Sequence, residues 1–313
     1  MDPFTHTMAG AVMARVGGDR RTPLAAATLM LAANAPDIDI ISAATGESFG
    51  SLAFRRGWTH GPYALVLLPF IITFAILAWD ALVRRRRDPA KSPVHPGWVF
   101  ALSIIGVLSH PALDWLNTYG IRLLMPFSQT WFHGDAVFIV DPYWWALLGG
   151  TLVLARRNAS LRTVRMAALV ALAYPLILLG MSWQGKRLAR DVAAAQGIPQ
   201  SNVLYQPLPA NPFRAMLILR TDIAYHFGTL RWLPTPVARI DGDIIARGDW
   251  SDARVLLAKL NPEVRDYLVW SSYPWVQIDT TAADGSATVV FGDARFPPGM
   301  RAGGLGGLRV SVR

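Results

Sequence analysis

An apolar run, GPYALVLLPFIITFAILAWDALV from Gly61 to Val83, is followed at once by four arginines, Arg84 to Arg87. As a helix this run is long enough to cross the ~30 Å hydrocarbon layer of a bilayer. A cluster of arginines at one end is the mark of the cytoplasmic side. A chain built around such a segment folds as a membrane bundle, and the rest of the sequence agrees. Three more apolar stretches, 97–116, 137–155 and 164–183, predict further spans. Two shorter, Ala-rich helices at 5–16 and 23–35 reach only ~20 Å each, so they are tucked into the bundle or re-entrant. The composition is 52% hydrophobic and only 16% charged, with 12 Trp and a mean hydropathy of +0.30.

The net charge of +9 sits beside the apolar segments, which assigns it to membrane topology rather than to a nucleic-acid partner. Arg15, Arg20 and Arg21 lie between the two short helices, Arg84 to Arg87 follow the first long span, and Arg156, Arg157, Arg162 and Arg165 separate the last two. If these ends are all cytoplasmic, the helices alternate direction without contradiction. The opposite ends then collect Asp2, His6, Asp37, Asp39, His60, His110, Asp114, His133, Asp135 and Asp141. Arg55, Arg56 and Arg122 fall on that outer side too, where they suit contact with an anion. After Trp183 the chain is less continuously apolar, with PLPANP and LPTP breaks and strand-like stretches at 215–219, 239–246 and 287–291. The expected architecture is a mainly α membrane protein, with a multi-helix transmembrane bundle over residues 1–183. A small α+β or β-rich extramembrane domain over 184–313 follows on the periplasmic side.

With no Cys in the chain, a metal here must be held by His, Asp, Glu or backbone oxygen. His110 and Asp114 form an H-x-x-x-D pair on one helical face near the end of a span, where ionisable groups are costly. Metal binding and a structural contact inside the bundle both explain such a pair. Asp2 and His6 have the same spacing; alternatively, Asp2 favours the positive end of the first helix and His6 a polar interface. Asp37 and Asp39 in ANAPDIDIIS offer two carboxylates two residues apart, or an Asx turn after Pro36. His60 precedes the first long span beside Trp58 as a ligand or an interfacial residue. In FHGDAVFIVDP, His133, Asp135 and Asp141 are further candidates, although Asp141 before Pro142 also suits a helix cap. His95 shares the end that carries Arg84 to Arg87, and His226 lies in the C-terminal domain as a structural residue.

MDPFTHTMAG, NAPDIDII, RRGWTHGP, GVLSHPALDWLNTYGIRLLMPFS and WFHGDAVFIVDPYWW together resemble the YdjM-like family of bacterial inner-membrane proteins, membrane-bound metal-dependent hydrolases. The resemblance covers roughly the first half of the chain. It implies a distant relation to the zinc-dependent phospholipase C and P1 nuclease superfamily. There the ligands run from the N-terminus through His, Asp, His and an H-x-x-x-D helix to further His and a carboxylate. The counterparts here are Met1 or the Asp2 side chain, His6, Asp37, His60, His110 with Asp114, and His133 with Asp135 or Asp141. No H-x-x-x-E helix follows, so the resemblance implies one or two divalent ions, zinc or manganese, rather than three.

The activity implied is metal-assisted hydrolysis of a phosphate ester or lipid-linked substrate at the periplasmic face of the inner membrane. Asp39 or Asp135 would serve as general base, and Arg56 or Arg122 would contact the anion. A membrane lipid or lipid-linked molecule is the expected partner. A non-catalytic protein with a structural ion and a partner-binding C-terminal domain is the alternative. Transport is disfavoured, because Leu65 to Leu77 carries Thr73 as its one polar residue.

Overall fold

Proline starts five of the helices. Pro3, Pro62, Pro96, Pro142 and Pro262 each occupy the first helical turn, where the missing N–H costs nothing, and Asp2, His95, Asp141 and Asn261 cap four of them through side-chain acceptors. The computed structural model describes residues 1–45, 48–199, 202–281, 286–296 and 307–312. In chain order the helices are α1 (Pro3–Arg15), α2 (Ala25–Asn34), α3 (Ser48–Phe54), α4 (Pro62–Trp79), α5 (Arg85–Arg87), α6 (Pro96–Trp115), α7 (Pro142–Arg156) and α8 (Leu161–Ala195). A π-helical turn, Asp80–Arg84, joins α4 to α5, and a 3-10 segment, Ala35–Thr45, follows α2. Then come β1 (Asn202–Leu208), β2 (Asn211–Arg220), β3 (Ala224–Arg231), β4 (Val237–Arg239) and β5 (Ile244–Ala246). Helices α9 (Ala253–Ala258) and α10 (Pro262–Trp270) precede β6 (Pro274–Thr281), β7 (Ala287–Asp293) and β8 (Leu308–Val312).

Two compact units divide the chain. The first holds Met1–Ile40 and Arg55–Ser182, and the second holds Ile41–Phe54 and Trp183–Arg313. Among the described residues, three helices are long and apolar enough to cross a membrane: Pro62–Arg87, Pro96–Trp115 and Leu161–Ala195. The expected span at 137–155 differs. Residues 137–141 are not helical, because Val137 bridges to Asn117 and Asp141 caps α7, which leaves a helix of 15 residues. At ~1.5 Å per residue that helix is shorter than the hydrocarbon layer.

In the first unit, α2 packs between α1 and α6 at very short range. A Cβ on Gly10 of α1 would come within 2.8 Å of the Leu29 carbonyl oxygen, and one on Gly106 of α6 within 2.6 Å of the Ala32 Cβ. The Ala-rich sequence AAATLMLAAN gives α2 the small faces that this approach needs, the usual way helices associate in lipid. Around it Ala14, Ala25, Leu29 and Leu102 form a buried cluster.

The arginine-bearing helix ends meet one another. The Arg21 guanidinium lies 4.6 Å from the Trp98 ring centroid, His95 N–H donates to Thr22 Oγ1 at 2.8 Å, and Arg165 Nε donates to the Val16 carbonyl at 3.0 Å. Asp80, buried in the π turn, takes Arg84 Nη1 at 2.5 Å and Arg85 Nε at 3.0 Å.

The second unit contains two antiparallel sheets. In one, β1, β2, β3 and β4 follow in order and β5 also pairs with β3; the other has the order β6-β7-β8. The expected strand at 215–219 lies within β2 and that at 287–291 within β7. The stretch 239–246 is not one strand: Arg239 pairs with Thr229 and Ile244 with His226, so extra residues bulge out between β4 and β5. At the end of β7 the buried Asp293 accepts Arg295 Nε and Nη2, each at 2.9 Å, and Ser271 Oγ at 2.6 Å. Fully paired in this way, the carboxylate is a structural element of the core.

Candidate metal centre

Three helix ends converge in the first unit and bring four residues together. Asp37 comes just after α2, His60 just before α4, and His110 and Asp114 one turn apart near the end of α6. One donor atom from each of these four residues lies within 4.8 Å of all the others. His60, His110 and Asp114 have no exposed surface, and Asp37 retains 9%.

The backbone and neighbouring side chains fix which ring nitrogens face inward. His110 Nδ1 lies 2.6 Å from the Ala33 carbonyl oxygen. A carbonyl only accepts, so Nδ1 carries the proton and Nε2 keeps its lone pair. Thr59 Oγ1 donates to Asp39 Oδ2 at 2.9 Å and lies 2.9 Å from His60 Nδ1. Having given its hydrogen to Asp39, the hydroxyl accepts from His60 Nδ1–H, and His60 Nε2 is likewise bare. The two bare Nε2 atoms then face each other at 3.0 Å. Two buried lone pairs at that separation repel, and a cation between them removes the conflict.

The remaining distances fit such a cation. Asp114 Oδ2 is 3.5 Å from each Nε2, and Asp37 Oδ1 is 4.0 Å from that of His60 and 3.7 Å from that of His110. Donors at 2.0 to 2.1 Å from a tetrahedral zinc ion would be spaced at about 3.3 Å. The buried Asp37 Oδ1 and Asp114 Oδ2 have no hydrogen-bond partner, which is the condition of ligand atoms. Two imidazoles held by outer partners and two carboxylates make a donor set suited to a borderline divalent ion.

The other oxygen of Asp114 faces a cationic group. Oδ1 contacts the Met1 amine, Arg56 Nη2 at 3.3 Å and His6 Nε2 at 3.3 Å. His6 also stacks on His110, with ring centroids 3.9 Å apart. Arg56 donates to Asn117 Oδ1 and to the Gly120 carbonyl, and its guanidinium lies 4.5 Å from the Tyr119 ring centroid. Burial pushes His60 well below its ordinary value, with His110 and Arg56 adding to the effect, so its imidazole stays neutral at pH 7. Burial raises Asp37, against the opposing pull of Arg56.

The other candidate residues lie elsewhere. Asp39 stands behind His60, holding Arg56 N–H at 2.7 Å and the Thr59 hydroxyl. Asp2 caps α1 through Thr5, whose hydroxyl also accepts Trp145 Nε1–H. Asp141 caps α7 and accepts the Tyr174 hydroxyl. His133 and Asp135 pair with each other, Nδ1 to Oδ1 at 2.7 Å, on a loop whose Gly134 and Ala136 N–H groups donate to the Trp115 and Leu116 carbonyls. Arg122 donates to Gln129 Oε1 and to the Arg55 carbonyl beneath Trp131.

Three supporting groups escaped the sequence reading: Thr59, Asn117 and the Ala33 carbonyl. Thr59 stands within GWTHGP beside His60, the ligand it orients, and Asn117 within DWLNTYG, three residues after Asp114, where it holds the distant Arg56, whereas a backbone carbonyl leaves no mark in sequence. Thr59→Val keeps the shape and removes the relay to Asp39. Competitive chelator titration should then give a 10–100-fold weaker metal affinity. An unchanged affinity in the folded variant would show that Thr59 does not orient His60.

Neither a curated protein nor a solved structure gives a significant match to the chain. The family model described as YdjM inner membrane protein matches residues 1–186, more than half of the chain and all of the stretch carrying the four-residue cluster. With three helices able to cross a membrane, the chain belongs to the YdjM inner membrane protein family.

Proposed function

We propose that this protein is a membrane-embedded metal-dependent hydrolase that cleaves a phosphate ester of a lipid or lipid-linked molecule at the periplasmic face. The observation that carries the reading is the pair of bare Nε2 atoms 3.0 Å apart, flanked by the unpartnered Asp37 and Asp114 oxygens. Two nitrogens and two oxygens at these spacings favour one zinc ion over manganese, which prefers six oxygens. A second ion beside Asp114 Oδ1 is disfavoured, because Arg56 already supplies positive charge there. The positive-inside rule assigns the arginine-bearing helix ends to the cytoplasm, and hence this centre to the other face.

A lipid-like substrate is supported by the surroundings of the centre. Ile38, Ile40, Trp58 and Tyr63 are exposed on the segments that carry it, and the exposed Phe127 lies with its ring 5.7 Å from that of Tyr63. Aromatic and aliphatic groups at helix ends suit the bilayer interface, where a polar head and an apolar tail can both be accommodated. Asp37, the one partly exposed ligand, marks the side from which a head group arrives.

When bound, the ion would acidify a water and polarise the substrate's phosphoryl oxygen. The chain's own residues supply the rest. Arg56, fixed by Asn117 and Gly120, holds a permanent positive charge beside Asp114 that balances negative charge developing on the substrate. Asp39 orients His60 through Thr59. The His133–Asp135 pair, anchored to the residues that follow Asp114, is the candidate proton acceptor, with the carboxylate holding the imidazole as in other acid–base pairs. Metal-loaded protein in mixed micelles should hydrolyse a member of a panel of phospholipids and lipid-linked phosphates. His133→Ala should lower kcat 10²- to 10⁴-fold with metal content intact. Turnover unchanged in that variant would remove His133 from the chemistry.

A second reading, a structural ion without turnover, is favoured by the complete burial of three of the four ligands. It becomes the better one if loaded wild type hydrolyses no member of the panel.

A further inference from the structure

The arginine-bearing end of the helical unit has a site of its own. Arg20, Arg21, Trp98 and Arg165 surround a cleft of about 590 Å³ with Met13 and Val16 in its wall. A second cleft, also of about 590 Å³, shares Met13, Val16 and Arg165 and runs along α1, α6 and α8 between Ala9, Ala112 and Ala168. Apart from Arg165 and Ser109, that second cleft is lined by apolar side chains, with Val12, Leu113 and Leu172 among them. Through the shared Met13, Val16 and Arg165 the two clefts join, so that an apolar slot opens at one end among cations.

The three arginines are available for a ligand. Arg15, their neighbour, is neutralised by Asp19 at 2.6 Å. Arg21 lies over Trp98, and Arg165 gives Nε to the Val16 carbonyl, with Nη2 beside Gly17. Among the described residues no carboxylate pairs with Arg20, Arg21 or Arg165. Alanines at 9, 112 and 168 keep the slot open where larger side chains would close it.

We propose that this end binds one anionic phospholipid, with an acyl chain in the slot and the head-group phosphate among Arg20, Arg21 and Arg165. The complementarity is specific in both halves. A free phosphate would leave the slot unused, and a choline head group would bring a cation to three arginines. Each arginine near a membrane surface strengthens anionic-lipid binding roughly fivefold, so three together give about a hundredfold.

The test is native mass spectrometry of the detergent-purified full chain, titrated with phosphatidylglycerol, with phosphatidylcholine of the same chains and with glycerol phosphate. One phosphatidylglycerol should bind per chain, in preference to phosphatidylcholine, and glycerol phosphate should not displace it. The combined variant Arg20→Gln, Arg21→Gln, Arg165→Gln should bind phosphatidylglycerol about a hundredfold more weakly. Arg165→Gln alone, the milder change if the combined variant misfolds, should cost roughly fivefold. Ala168→Phe should weaken both lipids by filling the slot. Equal binding of the two lipids, or undiminished binding in the glutamine variants, would overturn the proposal. Displacement by glycerol phosphate would instead reveal a site for a free anion.

Discussion

Asp114→Ala is expected to abolish divalent-metal binding and to cost about 3–5 kcal/mol of stability, the usual penalty for removing one partner of a buried ion pair. Both effects follow from the division of labour between its oxygens. Oδ2 stands 3.5 Å from the two inward-facing Nε2 atoms, while Oδ1 contacts Arg56 Nη2 and the Met1 amine. The substitution therefore removes a ligand and leaves the Arg56 guanidinium buried without its carboxylate. His110→Ala separates the two effects. It removes a ligand but leaves Asp114 facing Arg56, so metal should be lost while that buried ion pair stays intact. Mass-spectrometric metal content and thermal unfolding of the detergent-purified proteins decide the matter. Near-stoichiometric zinc in the wild type, absent from both variants, is the expected result. Zinc retained in folded His110→Ala, or a wild type that takes up none after reloading, would rule out the four-residue centre.

The centre also bears on pH. Protons compete with metal for its ligands, so affinity falls as pH falls. Burial lowers His60, so its imidazole stays unprotonated to lower pH than a free histidine and keeps the ring available below its ordinary range. Buried Asp37 acts in the opposite sense: its carboxyl is raised and takes up a proton earlier on acidification.

Much of this arrangement was legible because membrane topology is a strong filter. Once the arginine clusters set the direction of each helix, Asp37, His60, His110 and Asp114 had to lie at common ends, although 77 positions separate the first from the last. Their convergence on one point depends on packing that topology does not specify. Caps were harder to tell from ligands, because both use a carboxylate next to a helix N-terminus. Asp2 and Asp141 precede Pro3 and Pro142 and hold backbone N–H groups, whereas Asp37 follows a helix and has an oxygen without a partner. The dipeptide Asp-Pro carries the distinction, since proline at the first helical position leaves the preceding residue in the capping place. The β-rich unit was less legible. β1, β3 and β6 run to seven or eight residues, but Pro207, Gly228 and Pro274 fall within them and read as breaks, and β8 has only five residues.

The largest effect at a distance is expected from Gly106→Leu. Gly106 has no side chain because α2 and α6 approach so closely there that even a Cβ would come within 2.6 Å of the Ala32 Cβ and 3.2 Å of the Leu29 carbonyl oxygen. A leucine must push α2 outward. Overpacking of this kind costs about 1–3 kcal/mol by itself. The next residue of α2, Ala33, is the one whose carbonyl fixes the His110 tautomer at 2.6 Å. A shift of even 1 Å breaks that hydrogen bond, frees the His110 ring to turn, and carries Asp37 away with the end of the helix. Metal affinity should then fall by at least the 10–100-fold that loss of an outer-shell partner produces, although residue 106 lies a full helical turn from the nearest ligand. Gly106→Ala, a smaller intrusion, should show a partial loss in the same direction. Chelator titration and thermal unfolding of the two variants would measure the coupling. Destabilisation with metal affinity unchanged would mean that the ligands keep their places when α2 moves, and that Ala33 does not set the geometry of the centre.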